Sequence, residues 1–377
     1  MGHNGAAGAT LNRWRHRCDT VEEGNPRNRH DGENAVVVEA ATVQEASAAE
    51  VLQSLRDSTC YASASAVAAG LAIPKPVVVT SLEQLALDAL VEAERASDAT
   101  TVVGFGGGTA VDAAKYVALR TGKDAVVIPT ALGGLAPFST DVARRIRRQI
   151  SWLGDLSPTV VLDFALLTAA PPMRSRAGAA EIVATLSATW DWRLADARGH
   201  GLPVSSRLAD QGKSLRRRLA DAAEDIKAGS TEGLRALAAL LAELGAAATD
   251  CGHRRLMDGS EHTFAQAFEH RLGRLAFYGA TVGMGTVAMT ALQSWFGLSA
   301  GGQVDPQEAV DLLNRCGVAA NPHQLDIDEG TFRGLLRHTV RFAVGEFLPY
   351  SVLNEADVNY SASDEMWRWC WRVPRVA

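Results

Sequence analysis

The spacing of apolar and polar positions changes along the chain and divides it into two parts. In the first part, four short apolar runs of strand type lie at 35–39, 76–80, 101–105 and 125–130. Helices are predicted between them, over 43–56, 82–96 and 109–121, the second with Ser81 as its N-cap. Buried strands that alternate with helices are typical of a parallel sheet covered on both faces. We therefore predict a Rossmann-like α/β domain over residues 35–158.

Helical periodicity dominates after the pair Pro171-Pro172. Apolar residues recur at the spacing of one helix face and predict seven helices, over 174–198, 204–227, 231–248, 260–272, 277–296, 306–316 and 329–345. We assign residues 159–377 to a helical domain that binds the substrate or a metal. Residues 1–34 are polar and lack periodicity, which predicts a mobile tail.

Composition narrows the class of protein. The 377 residues are 47% hydrophobic and carry a formal net charge of −6, which is typical of a globular chain. A mildly acidic total favours neither a nucleic-acid partner nor an anionic membrane. The five cysteines are widely spaced without a C-x-x-C, and no apolar run is long enough to span a bilayer. We expect a cytoplasmic protein.

A run of three glycines, Gly106 to Gly108, lies between a predicted buried strand and a predicted helix. Glycines let the backbone approach a pyrophosphate, and the N-terminus of the helix offers free N–H groups. The hydroxyl of Thr109 adds a donor. The segment matches neither the G-x-G-x-x-G fingerprint nor a P-loop. Residues 102–115 alone therefore indicate a phosphate cradle of unspecified kind.

The segment 106–115, GGGTAVDAAK, resembles the GGGS-x-x-D-x-x-K turn of a superfamily of metal-dependent dehydrogenases. This superfamily includes the iron-containing alcohol dehydrogenases, the glycerol dehydrogenases, the glycerol-1-phosphate dehydrogenases and the dehydroquinate synthases. The glycerol-1-phosphate branch is the most similar. Further segments that resemble it are 128–130 (IPT), 191–195 (DWRLA), 259–262 (GSEH), 278–286 (YGATVGMGT) and 347–353 (FLPYSVL). The resemblance covers roughly residues 100–355 and is poor before residue 100.

The resemblance implies a Rossmann-like domain that binds NAD or NADP, a helical C-terminal domain, and an active site in the cleft between them. The residues that it implies for cofactor binding are Gly106, Gly107, Gly108, Thr109, Asp112, Lys115, Pro129 and Thr130.

The resemblance also implies a divalent metal, zinc or iron, held by one carboxylate and two histidines. The carboxylate falls on Glu181 and the first histidine on His262, but the second histidine position is Tyr278. Three interpretations remain open. In the first, the metal is lost and Glu181, His262 and Tyr278 form an acid/base cluster, in which His262 lowers the pKa of Tyr278. In the second, His270 or another residue completes an altered metal site. In the third, the protein is a non-catalytic relic.

Two further segments bear on the substrate. The loop 131–139 lacks the polar N-D-G segment that the family uses to grip glycerol hydroxyls, so we expect a less polar or larger alcohol or ketone. Residues 144–148, RRIRR, are either a solvated edge hairpin or an anchor for a carboxylate or an acidic peptide.

We predict an NAD(P)-dependent oxidoreductase that acts on a secondary alcohol or ketone in specialised biosynthesis. One concrete candidate resembles the daptide-type peptide-tailoring dehydrogenases, which oxidise a C-terminal threonine of a ribosomal peptide with decarboxylation. The alternatives are a dehydroquinate synthase-like cyclase or lyase, and a non-catalytic partner protein. We expect a small-molecule or peptide substrate, no nucleic-acid or membrane partner, and a homo-oligomer or a complex with biosynthetic partners.

Overall fold

A six-stranded parallel sheet is the centre of the first domain. The computed structural model describes residues 40–273, 278–297, 302–346 and 348–376. The strands of the sheet are β1 (Thr42–Glu45), β2 (Ser58–Ser63), β3 (Val77–Val79), β4 (Thr101–Gly106), β5 (Asp124–Pro129) and β8 (Thr159–Leu162). They lie side by side in the order β1-β8-β5-β4-β2-β3.

Four helices connect these strands: α1 (Ala48–Ser54), α2 (Ala64–Ala68), α3 (Gln84–Arg95) and α4 (Gly108–Thr121). Two small apolar clusters cover the two faces of the sheet, one with Val102 and Val117 and the other with Val103 and Ile128. Helices on both faces of a parallel sheet bury its strands completely, which is why the central strands are so apolar.

An antiparallel hairpin of β6 (Asp141–Ile146) and β7 (Gln149–Asp155) projects from this domain. Its two-residue turn consists of Arg147 and Arg148, both with positive φ, at 52° and 69°. The hairpin packs against the helical domain, since Arg145 forms an ion pair of 2.8 Å with Glu269.

The second domain is helical and has a large apolar core of its own. Its helices are α5 (Phe164–Ala169), α6 (Pro172–Arg176), α7 (Ala179–Ala197), α8 (Ser206–Asp221), α9 (Ala223–Ala228), α10 (Thr231–Cys251), α11 (Ser260–Leu272), α12 (Tyr278–Phe296), α13 (Pro306–Arg315), α14 (Glu329–Gly345) and α15 (Tyr360–Arg372). The long helices α7 and α12 are buried over most of their length and pack against each other. The tryptophan-rich α15 packs on α12, with Met366 and Cys370 fully buried.

The predicted fold class, a Rossmann-like domain followed by a helical domain, is confirmed. The seven predicted helices of the second domain are present with small shifts at their ends, and the stretches 174–198 and 204–227 are each divided into two helices. The sheet includes Thr159–Leu162 and so extends beyond residue 158, where we placed the end of the first domain.

The helix predicted over 43–56 is wrong in its first residues, because Thr42–Glu45 is an exposed edge strand and the helix starts at Ala48. The strand Ser58–Ser63 was missed. The predicted strand at 35–39 and the predicted tail over 1–34 lie outside the described residues. Within the described part of the chain, no helix is long and apolar enough to cross a membrane.

Candidate active site in the cleft between the domains

The glycine turn lies where the strand order of the sheet reverses. Strand β2 has β3 on one side and β4 on the other, so the connections leave in opposite directions at this point. Ligands of open parallel sheets bind outside the carboxyl ends of the strands at such a switch point. Gly106 ends β4 with φ at +140°, and a Cβ placed on it would lie 2.3 Å from Oγ of Ser63, the last residue of β2. A side chain at position 106 therefore has no room.

The turn beyond Gly106 is open. Gly107 precedes α4, and a Cβ on it would meet nothing within 4 Å. A Cβ on Gly108 would be 3.7 Å from Ala136. The space beside the first turn of α4 is therefore open, and the helix dipole favours a negative charge there. These residues fit the pyrophosphate of a dinucleotide. Thr130, at the end of β5, closes the turn by donating its backbone N–H to the Gly106 carbonyl at 3.0 Å.

One residue of the cofactor motif, Lys115, turns away from the open turn in this structure. The buried ammonium group of Lys115 donates to the carbonyls of Ala136 and Ser139, at 3.1 and 2.7 Å. Burial lowers the pKa of Lys115 to about 8 and raises the pKa of Asp112 to about 6. Lys115 thus holds the loop 131–139 against α4. The prediction that Asp112 and Lys115 bind the cofactor stays a prediction.

The loop 131–139 presents backbone and small side chains to the cleft. Its large apolar side chains, Leu132, Leu135 and Phe138, are at most 5% exposed and belong to the core. Gly134 faces Glu181, since a Cβ on it would lie 3.2 Å from Oε1 of that carboxylate. The apolar residues of this loop therefore serve packing, and they do not by themselves indicate an apolar substrate.

The three residues predicted as the catalytic cluster lie in the first turns of three helices. Glu181 is in the first turn of α7, His262 in that of α11, and Tyr278 is the first residue of α12. Nε2 of His262 is 3.1 Å from Oε2 of Glu181, and the rings of His262 and Tyr278 are 6.1 Å apart. The structure therefore brings the three together, with helix N-termini directed at one place.

Two further carboxylates surround His262. Its Nδ1 is 3.0 Å from Oε1 of Glu261, which also accepts the Gly259 N–H at 2.6 Å. Oδ1 of Asp258 lies 3.7 Å from Nε2 of His262. With a carboxylate beside each ring nitrogen, His262 is held in one orientation.

Arg254 is the principal cation of this cluster. It forms ion pairs with Asp258 in the loop before α11 and with Asp141 at the start of β6. Its guanidinium group also lies 4.5 Å from the centre of the Trp152 ring. Since Asp141 belongs to the first domain and Asp258 to the second, Arg254 joins the two walls of the cleft.

The charges determine the protonation of the site. Burial opposes a charge on His262, but Asp258, Glu181 and Glu261 together raise its pKa well above the usual value. Burial, with Glu181, Asp258 and Glu269, also raises the pKa of Tyr278, and Arg254 opposes this only in part. We expected His262 to lower the pKa of Tyr278, but the net shift of this pKa is upward, so the expectation is wrong. Both shifts favour the protonated forms of His262 and Tyr278.

The donor set as arranged does not fit the zinc or iron that the resemblance implies. Glu181 and His262 are hydrogen-bonded to each other, and the third position holds a phenol whose raised pKa disfavours a phenolate ligand. Asp258 is engaged by Arg254. Among the described residues, no group of three or more histidine, cysteine, aspartate or glutamate side chains is arranged to hold a metal ion.

His270 does not join this cluster. It lies two turns further along α11, about 12 Å from His262 along the axis, and its Nδ1 is 3.1 Å from Nε2 of His338 on α14. The rings stack with 7° between their planes.

Sequence reasoning missed Arg254, Asp258 and Glu261 as members of the site. The only available signal was the position of Asp258 and Glu261 beside His262 in the segment 258–262. The ion pair between Arg254 and Asp141 joins residues 113 positions apart, so no local pattern could indicate it.

The comparisons with known proteins agree with this architecture. Residues 23–171 match the family model for iron-containing alcohol dehydrogenases. A glycerol-1-phosphate dehydrogenase [NAD(P)+] of Hyperthermus butylicus is 29% identical over 284 residues, which are 74% of this chain and 76% of the relative. The corresponding Aeropyrum pernix protein is 27% identical over 308 residues, 79% of this chain and 80% of that one.

The fold has solved counterparts. A probable glycerol dehydrogenase from Sinorhizobium meliloti superposes with a TM-score of 0.65 at 17% identity, covering 89% of this chain and 98% of that one. The family match starts at residue 23, so the view that the resemblance is poor before residue 100 is wrong.

In sequence the chain is thus similar to NAD(P)-dependent dehydrogenases, and in fold it is similar to a probable glycerol dehydrogenase. More narrowly, residues 23–171 are similar to the iron-containing alcohol dehydrogenases, and most of the chain is similar to glycerol-1-phosphate dehydrogenases.

Proposed function

We propose that this protein transfers a hydride between NAD(P) and an alcohol/carbonyl pair, with Tyr278 and His262 as the proton-donating groups in place of metal chemistry. The observation that carries the proposal is the placement of both groups at the convergence of three helix N-termini. Bound NAD(P)H would supply the hydride. The open turn at Gly107 and Gly108 would hold its pyrophosphate.

Carbonyl reduction is the direction that the resting protonation favours. As a hydride reaches a carbonyl carbon, negative charge develops on the oxygen, and a donor positioned there stabilises the charge and gives up its proton. Tyr278 carries such a proton at neutral pH. His262, with both ring nitrogens held by Glu181 and Glu261, then serves as a positive charge near the phenol, which regains its proton from solvent.

The helix N-termini supply the stabilisation that a metal supplies in other enzymes. Glu181 is in the first turn of α7, and Tyr278 opens α12. Partial positive charges at helix N-termini favour a nearby anion by about 0.3–1 kcal/mol each at exposed sites, and by up to about 2 kcal/mol when partly buried. Arg254 adds a full positive charge fixed by two carboxylates.

The substrate we infer is an alcohol or carbonyl compound other than glycerol 1-phosphate. The loop 131–139 has no amide or carboxylate side chain to bind substrate hydroxyls, and Lys115 is already occupied by the carbonyls of this loop. A site that lacks such partners gives up the binding energy that selects polyols. The narrower proposal, oxidation of a C-terminal threonine of a ribosomal peptide in specialised biosynthesis, enters the same screen as one substrate class.

Tyr278→Phe tests the proposal. With a ketone, aldehyde or alcohol found by an NAD(P)H-coupled screen, turnover is expected to fall by roughly 10²–10⁴-fold, while the Kd for NAD(P)H changes less than about twofold. Tyr360→Phe is the matched control, since Tyr360 is 72% exposed on α15. Turnover of Tyr278→Phe within about threefold of the parent would refute the acid role of the phenol.

The same assay separates the alternatives. A cyclase or lyase of the dehydroquinate synthase type regenerates its cofactor, so it consumes substrate without net change in NADH absorbance. A non-catalytic partner protein neither binds the dinucleotide nor turns over any substrate. Net stoichiometric oxidation of NAD(P)H is expected here.

A further inference from the structure

A cluster of arginines without ion pairs occupies one surface beyond the active-site cleft. It comprises Arg147 and Arg148 at the tip of the β6–β7 hairpin, Arg271 at the end of α11, and Arg337 and Arg341 on α14. All five are exposed. Within the described part of the chain, none of the five forms an ion pair, whereas the neighbouring Arg145 and Arg333 do. We refer to these five residues as the arginine patch.

Contacts between the elements show that the patch is continuous. Nη1 of Arg148 is 3.2 Å from the position a Cβ would take on Gly273, which ends α11. Nη2 of Arg271 is 3.3 Å from the corresponding position on Gly334 of α14. Gly334, Arg337 and Arg341 share one face of α14, because three or four residues separate neighbours on a helix face.

The stacked histidines lie within the patch. His270 and His338 join α11 to α14 through a contact of 3.1 Å between Nδ1 and Nε2. Burial and the charges of His270, Arg271 and Arg341 lower the pKa of His338. The histidine pair thus joins the two helices that carry Arg271, Arg337 and Arg341, and the arginines contribute the charge of the patch.

Structural roles explain only part of the cluster. A cation in the last turn of α11 interacts favourably with the helix dipole, which accounts for Arg271. Arg337 and Arg341 lie inside α14, where that benefit falls off. The turn residues Arg147 and Arg148 adopt positive φ, which asparagine and glycine adopt far more readily in a two-residue hairpin. Two arginines therefore make this turn less stable than asparagine or glycine would, and they place two positive charges at the tip of the hairpin.

We propose that the arginine patch binds an acidic peptide segment of a partner or substrate protein. Guanidinium groups bind carboxylates in paired geometry, and five such groups without internal partners are complementary to a run of aspartate or glutamate. The α14 face from Gly334 to Arg341 is roughly 10 Å long, which matches about three extended residues. The net charge of −6 on the whole chain disfavours a long polyanion or an anionic membrane.

Fluorescence anisotropy with a fluorescein-labelled hexaglutamate peptide at low salt tests this, independently of the reaction. The full-length protein is expected to bind the peptide with an affinity that falls as salt rises. The double variant Arg271→Gln/Arg341→Gln is expected to weaken binding at least about fivefold. Arg207→Gln/Arg217→Gln, which removes the same charge from exposed positions of α8, is the matched control.

Three results would overturn the proposal. One is the absence of peptide binding at low salt. Another is equal weakening by the patch and the control variants, which would indicate a general charge effect. The third is tighter binding of single-stranded DNA or of phosphatidylserine vesicles than of the peptide, with the same loss in Arg271→Gln/Arg341→Gln, which would assign the patch to a different class of partner.

Discussion

Replacing Arg254 by glutamine removes the cation that joins the two walls of the cleft. The side chain of Arg254 is 14% exposed, and the carboxylates that it contacts, Asp141 and Asp258, are 5% and 19% exposed. Removing one partner of a buried ion pair leaves an uncompensated charge and costs about 3–5 kcal/mol. Here two carboxylates lose the same cation, although the Ser139 hydroxyl still donates to Asp141 and His262 remains 3.7 Å from Asp258. We therefore expect Arg254→Gln to lower the free energy of unfolding by at least about 3 kcal/mol.

The assay is urea denaturation followed by circular dichroism, with two comparison variants. Arg218→Gln removes a cation whose ion pair with Glu243 is 44% and 34% exposed, so a loss of at most about 1 kcal/mol is expected. The double variant Arg254→Gln/Asp258→Asn also removes one of the two negative charges that faced Arg254, and it should recover part of the lost stability. A loss for Arg254→Gln as small as that for Arg218→Gln would refute the structural role of this network.

Two other predictions concern the glycine turn and a buried carboxylate. Gly106→Ala should destabilise the fold by about 2–5 kcal/mol, because its Cβ would collide with Ser63 and φ is +140°. Gly107→Ala should cost about 1 kcal/mol of stability or less, but it should weaken NAD(P)H binding at least tenfold. Equal Tm values for the two variants would contradict this. Burial and Glu261 raise the pKa of Asp191 to about 6, so the folded protein keeps this proton to higher pH than the unfolded chain, and stability falls as pH rises from about 4 to 6. Denaturation curves at pH 4.5 and 7 give the difference in free energy of unfolding between the two pH values. Asp191→Asn should make this difference smaller by up to about 3 kcal/mol, and an unchanged difference would contradict the prediction.

Elements with a strong local signal could be predicted from the sequence. The glycine turn could be predicted because the fold requires glycine beside Ser63 at Gly106, which leaves a run of glycines in the sequence. The long helices could be predicted because one face of each is buried, which leaves apolar residues at helical spacing. Strand β2, Ser58–Ser63, was missed because half of its residues are serine or threonine. The edge strand Thr42–Glu45 was taken for helix, because its exposed residues carry no alternation of apolar and polar positions.

The site could be predicted only as far as its local motifs reach. Glu181, His262 and Tyr278 were found, and the structure brings them together. The direction of the pKa shift of Tyr278 could not be derived, because it results first from burial and then from carboxylates on other elements, both of which only the fold determines. Arg254 was missed for the same reason, since Asp141 reaches it only through the fold.

Titration of the purified protein with NADH and NADPH, followed by cofactor fluorescence, tests the central claim most directly. We predict saturable binding of at least one of the two dinucleotides with a Kd in the micromolar range, and at least tenfold weaker binding by the folded variant Gly107→Ala. Absence of binding by the parent protein, or equal binding by Gly107→Ala, would contradict the assignment of the open turn at Gly107 as the cofactor site and with it the proposed dehydrogenase chemistry.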